Sequence, residues 1–206
     1  LQALSADQGD LWDSGKVSGD RTNFISYAGK KLASNQSVFW KVRSWDRDGK
    51  PSDWSGPASW TMGLLEPGDW KAKWITSAER VENLLVRREF TVKPGLRRAL
   101  ANVTGLGQYE LFLNGEKAGT DLLSPGWTDY KDTVLYDTRD VTSLLREGAN
   151  AAGLSLGNGM FHVVRPPGRF AKIINSFGQQ RAILQLRLEY ADGSVETLGT
   201  DGTWKT

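Results

Sequence analysis

Residues 182–190 read Ala-Ile-Leu-Gln-Leu-Arg-Leu-Glu-Tyr, and the series decides which secondary structure the chain can use. Ala182, Leu184, Leu186, Leu188 and Tyr190 fall on one side of a period-two pattern, with Gln185, Arg187 and Glu189 on the other. Such alternation suits a strand that covers a core with one face; a helix would scatter the same residues around its axis. The pattern recurs in Val38, Trp40 and Val42 against Phe39, Lys41 and Arg43, and in Leu84, Val86, Arg88, Phe90 and Val92. It appears again in Tyr109, Leu111 and Leu113 against Glu110, Phe112 and Asn114, and in Ala152, Leu154 and Leu156. No long window shows helical periodicity. Asn114-Gly115 and Asp192-Gly193 are hairpin turns by their tolerance of positive φ, and Asp48-Gly49, Pro125-Gly126 and Asn158-Gly159 punctuate the rest. One exception is expected, a helical turn over 140–145 capped by Asp140 or Thr142 and stopped near Gly148. Strands separated by such turns predict an all-β chain built from two-sheet sandwiches.

Leu65-Glu-Pro-Gly-Asp69 breaks the pattern, which divides the chain into residues 1–66 and 67–206. Both ends read as cut from a longer polypeptide. The first segment contains Trp12-Asp-Ser-Gly-Lys-Val17, Tyr27-x-Gly29-x-x-Leu32, Val38-x-Trp40-Lys-Val-Arg-x-Trp45-Asp46 and Trp54-Ser55. Together these resemble the later strands of a fibronectin type III domain without its opening strands. The tyrosine of that fold's characteristic corner is replaced by Val38. Asp46-Arg-Asp48-Gly49 could start a calcium loop, but Pro57 stands where the terminal Glu would fall, so a hairpin turn is expected.

Composition removes several chemistries. The chain has no cysteine, which excludes disulfides, thiolate catalysis and cysteine zinc sites. His162 is the single histidine, so a multi-histidine metal site is impossible. Lys and Arg total 26 against 24 acidic residues, a net charge of +2 that gives no electrostatic case for nucleic acid or an anionic membrane. No apolar stretch approaches the ~20 residues of a membrane span. No cofactor or metal is expected, and the compartment is not legible. Nine Trp and 23 Gly stand out; the glycines suit tight turns, and the tryptophans are expected chiefly to pack.

Together with Trp12-Asp-Ser-Gly-Lys-Val17, Trp40-Lys-Val-Arg-x-Trp-Asp46 and Gly63-Leu-Leu65, the order of further motifs covers nearly the whole chain. It runs through Trp70-x-Ala-x-Trp-Ile75, Gly105-Leu-Gly-x-Tyr-Glu-Leu-x-Leu-Asn-Gly115, Leu123-Ser-Pro-Gly, Tyr136-Asp-Thr, Asp140-Val-Thr, Gly148-x-Asn150, Leu156-Gly-Asn-Gly159 and Thr200-Asp-Gly-x-Trp204. In that order they resemble the amino-terminal region of bacterial α-L-rhamnosidases. The resemblance implies a fibronectin-like domain followed by a galactose-binding-like jelly roll. In the family an (α/α)6 barrel further downstream hydrolyses terminal α-L-rhamnosides with inversion. The implied partner of this region is that barrel, together with rhamnose-containing glycans. No residue here matches a catalytic motif, so none inherits a catalytic role. Met160-Phe161 also replaces the Trp-Tyr with which the family pattern tends to continue.

Read without that resemblance, the acids Asp121, Asp129, Asp132, Asp137 and Asp140 would need two carboxyl groups about 6.5–9.5 Å apart across a sugar to act as an inverting pair. A solvated rim with a helix cap is the simpler expectation. A sugar-binding surface needs an aromatic face beside planar polar groups. The candidates are Trp127, Asp129 and Tyr130 on one loop and Asn158, Phe161, His162 and Arg165 on another. Packing against further domains, plain loop structure, and a free-standing carbohydrate-binding module are the competing readings of these loops.

Overall fold

The computed structural model describes residues 2–206 other than Thr22, Val164, Arg165, Ala171, Ile173 and Ile174. The chain divides into two compact units, Leu1–Leu65 and Glu66–Thr206.

In the first unit a short helix α1 (Gln2–Ser5) precedes β1 (Ser37–Trp40) and β2 (Ala58–Thr61). The two strands pair antiparallel with Val38 opposite Trp60 and Trp40 opposite Ala58. Asp46 tightens the following turn, its carboxylate accepting from the Asp48 and Lys50 N–H groups, and Trp45 bridges to Pro51. The turn is a hairpin, as its sequence implies. Among the described residues of this unit only Val38, Leu64 and Asn35 are buried.

The second unit is a sandwich of eight strands with two short ones beside it. These are β3 (Leu84–Val92), β4 (Leu96–Leu106), β5 (Gln108–Leu113), β6 (Glu116–Lys117), β7 (Asp137–Asp140), β8 (Gly148–Gly157), β9 (His162–Val163), β10 (Asn175–Ser176), β11 (Arg181–Tyr190) and β12 (Val195–Gly199). One antiparallel sheet has the order β12-β11-β4-β7 and the other β3-β8-β5-β6. The all-β, jelly-roll reading is the observed fold. Register lines up the inward residues: Leu184 faces Val103 and Leu186 faces Ala101 in the first sheet, while Leu154 lies between Val86 and Leu111 and Leu156 between Leu84 and Tyr109 in the second. These side chains form one apolar cluster, closed at the end of the chain by Trp204.

Gly105-Leu-Gly107 is where the chain leaves one sheet for the other. A Cβ on Gly105 would lie 2.7 Å from Leu156 Cδ2, so the missing side chain is what lets Leu156 cross from the opposite sheet. Gly107 takes φ +121 and lies against the Gly157 carbonyl, a conformation that L side chains rarely adopt. Asn114 (φ 53) and Gly115 (φ 88) both sit in the left-handed region required by a type I′ hairpin between β5 and β6. The Asn114 amide also donates to Leu144 C=O and to Asn150 Oδ1, while its own oxygen accepts from the Ala151 N–H. The expected helical turn is a 3-10 turn at Thr142–Leu144, with Asp140 Oδ1 accepting from the Thr142 N–H and hydroxyl.

The tryptophans pack largely at the surface: Trp12 against Tyr27, Trp70 against Tyr136, and Trp45 and Trp54 under cationic side chains. Of nine, only Trp204 is buried, and Trp40, Trp54, Trp60, Trp74 and Trp127 are exposed. Trp54 carries Lys41 and Arg43 over its indole face and is not buried by them.

Candidate functional site

Three neighbouring arrangements in the second unit gather the residues expected to meet a ligand. The first is the loop 121–135. Its backbone is pinned at several points. The Tyr109 N–H donates to Ser124 C=O at 2.7 Å, Thr104 Oγ1 donates to Leu135 C=O at 2.5 Å, and Thr128 Oγ1 donates to Thr133 C=O. Trp127 stands out from it, 64% exposed. Asp129, also exposed, accepts from the Lys131 N–H with its carboxylate and from the Asp132 and Thr133 N–H groups with its carbonyl.

The second arrangement is an aromatic knot. Tyr130 meets Phe161 edge-on at 5.3 Å and Phe177 at 5.5 Å, and Phe161 stacks on Phe177 at 5.8 Å. Phe161 is buried, so its ring is packed inside the protein and is not presented as a platform. Burial also raises the Tyr130 hydroxyl above its ordinary value. His162 is buried as well, with Nδ1 at 2.6 Å from Ser176 Oγ and Nε2 against the Arg80 guanidinium. A guanidinium can only donate, so Nε2 accepts and the proton sits on Nδ1, pointing at Ser176. Asn158 accepts from the buried Gln180 amide, which also donates to Glu82 C=O at 2.8 Å. Arg165 lies outside the described residues.

The third arrangement was not foreseen. Arg139 on β7 donates to Asp121 and, at 3.2 Å, to Asp137, which in turn accepts from the Tyr109 hydroxyl. Burial, then the hydrogen bond to Asp137, pushes the Tyr109 hydroxyl well above the usual phenol range. The Asp121 carboxyl is held below the carboxylate range by its hydrogen bond to Arg139. Burial opposes the charge on Arg139, but Asp121, Tyr109 and Asp137 outweigh it and hold the guanidinium ionised. Two of the five acids are thus spent on one arginine, and Asp140 is spent on the Thr142 turn. The clue available in sequence was the alternation Asp137-x-Arg139 on a short strand, but the partners Tyr109 and Asp121 come from elsewhere in the chain. Among the described residues no group of three or more His, Asp or Glu side chains is placed to hold a metal.

The structure therefore joins Tyr130 to Phe161 and places Asn158 and His162 in one turn, while Trp127 is exposed. Residues 95–206 match the family described as "Alpha-L-rhamnosidase N-terminal domain". The chain belongs to this α-L-rhamnosidase family. Residues 1–66 match "Rha78A-like, N-terminal immunoglobulin domain", an immunoglobulin-type sandwich of the architecture that fibronectin type III domains share. An α-L-rhamnosidase of Formosa agariphila is 34% identical over 208 residues, covering 95% of this chain and 22% of its own length. The solved α-L-rhamnosidase of Dictyoglomus thermophilum is 35% identical with a TM-score of 0.87, over 100% of this chain and 24% of that one. The Streptomyces avermitilis α-L-rhamnosidase, solved with L-rhamnose, is 22% identical with a TM-score of 0.84 over 99% of this chain and 36% of that one, a likeness of fold. The chain thus spans about a quarter of the length of these rhamnosidases or somewhat more.

Proposed function

We infer that this region is the non-catalytic amino-terminal part of an α-L-rhamnosidase, a glycoside hydrolase that releases terminal α-L-rhamnose with inversion. Its work is to support and orient a downstream (α/α)6 catalytic barrel. The observation that carries the reading is the state of its carboxylates: Asp121, Asp137 and Asp140 are tied to Arg139 and to Thr142, where an inverting pair would have to stand free across a cleft. The match to the amino-terminal domain family, over a small share of much longer rhamnosidases, supports the same reading. Hydrolysis of an aryl α-L-rhamnoside by the 206-residue chain tests it. No turnover is expected, and turnover above the buffer rate would sink the non-catalytic assignment.

A free-standing carbohydrate-binding module is the second reading. It is favoured by the exposed indole of Trp127, which could cover the apolar face of a pyranose. Titration of the chain with L-rhamnose decides it: saturable binding abolished by Trp127→Ala supports the module, and no binding removes it.

A further inference from the structure

The loop 121–135 presents a ridge of large apolar side chains to solvent. Leu122 is 80% exposed, Leu123 69%, Trp127 64% and Leu135 50%. Between Asp121 and Asp129 the sequence Leu-Leu-Ser-Pro-Gly-Trp-Thr carries no charge. Leu135 lies beside Gly126, its Cδ1 3.4 Å from where a Cβ there would stand, which brings it next to the Pro125–Trp127 turn. Scattered exposed leucines need no explanation, but several large apolar side chains on one short loop do.

The loop that carries the ridge is also tied down at three points. Arg139 holds Asp121 at its start, the Tyr109 N–H holds Ser124, and Thr104 holds Leu135 at its end. A loop ordered before binding loses little entropy when it is covered.

Its polar groups separate a protein partner from a sugar. A pyranose site needs side-chain donors and acceptors turned outward beside the aromatic face. Here the polar side chains that follow Trp127 are turned back onto the loop, Thr128 onto Thr133 C=O and Asp129 onto the Lys131 N–H, while Asp121 at the loop's start is held by Arg139 of β7. Lys131 and Asp132 are exposed on the same loop, but the stretch 122–128 exposes aliphatic and indole groups without charge, as the centre of a protein–protein interface does inside a polar rim. The solved and curated relatives carry roughly three to four times as much chain again outside the matched region.

We propose that the Leu122–Leu123–Trp127–Leu135 ridge is the seat for the catalytic part of the parent rhamnosidase, an apolar surface of the same polypeptide. This rests on the supporting role inferred above and adds the face that performs it.

Hydroxyl-radical footprinting of the 206-residue chain and of the whole parent enzyme tests the assignment, with Leu85, 62% exposed on β3, as an internal reference. Trp127 and Leu122 are expected to label about fivefold more slowly in the whole enzyme, because interface centres exclude water. Equal labelling of the ridge in both proteins, with protection elsewhere on the second unit, would overturn this face and leave the supporting role standing. No protection anywhere on the region would overturn both. Slower labelling of Trp127 when L-rhamnose is added to the 206-residue chain, with no protection in the whole enzyme, would assign the ridge to glycan. In a second measurement, Leu122→Ser with Trp127→Ser is expected to lower the thermal unfolding temperature of the whole enzyme while leaving that of the 206-residue chain unchanged. An unchanged whole enzyme counts against the proposal.

Discussion

The two units spend their hydrophobic residues differently. In the second, strand faces converge on one cluster in which Leu111, Leu113, Leu156, Leu184 and Leu186 are almost wholly out of water. In the first, Phe39, Trp40, Val42, Trp54 and Trp60 remain exposed, and a surface ladder takes the place of a core. Lys16 lies over Trp45 at 5.6 Å, Arg43 over Trp45 at 5.3 Å and over Trp54 at 4.4 Å, and Lys41 over Trp54 at 4.8 Å. Lys41 ends the ladder by pairing with Asp7, whose carboxyl that hydrogen bond lowers. Period-two alternation is therefore common to both units but reports burial only where a second sheet stands opposite. Stability should be dominated by apolar volume in the second unit and by stacked charge in the first.

The largest test of that contrast is truncation in each core. Leu111→Ala should cost about 2–5 kcal/mol, because the sandwich cannot collapse around the lost volume. Val38→Ala removes two methyl groups from a site with few buried neighbours and should cost roughly 1–2 kcal/mol. Equilibrium denaturation compares them, and equal losses would erase the distinction between the units.

Next in size is Asn150, the polar anchor of the second unit. Its side chain accepts from Asn114 Nδ2 and the Arg146 N–H, and donates to the Arg146 and Gly148 carbonyls. Asn150→Ala removes the partners of the half-buried Arg146 and Gly148 backbone groups and of the Asn114 amide, and should cost about 2–3 kcal/mol. A loss below 1 kcal/mol in urea titration would mean that water replaces the network.

Alkaline pH probes Tyr109. Its folded value is raised above that of the unfolded phenol, which ionises near 10. The corresponding stability is fully present below pH 10 and is lost as pH rises toward the folded value. From pH 10 to 11 the loss should be about 1 kcal/mol. Tyr109→Phe should flatten that part of the stability–pH curve, and an unaltered slope would move the titration to another group.

Much of this was readable in the sequence. β11 and β5 follow from alternation alone, and the β5–β6 hairpin from Asn114-Gly115. The role of Gly105 was not, because Leu156, the side chain that needs its space, lies in the opposite sheet. The site was less legible still. Phe161 and His162 look like loop residues until Phe177, Ser176 and Arg80 arrive from distant segments to enclose them. Trp127 was legible as an exposed aromatic because Pro125-Gly126 marks a turn. The inward direction of its polar neighbours depends on hydrogen bonds that spacing does not encode.

The smallest expected effect is the most specific to the first unit. Arg43 is stacked against both Trp45 and Trp54, so Arg43→Ala removes two cation–π contacts together with the aliphatic stem between the rings. At this exposure the contacts are worth about 0.5–1 kcal/mol. Arg43→Lys keeps the charge but loses the planar group that lies on an indole, and Arg43→Leu keeps bulk but loses the charge. The ranking Arg above Lys above Leu, followed by the fluorescence of the first unit's tryptophans during urea unfolding, would establish stacked charge as its stabilising element. If Leu equals Arg, the ladder is merely apolar cover, and the two units differ in how much surface they bury and not in the kind of interaction that holds them.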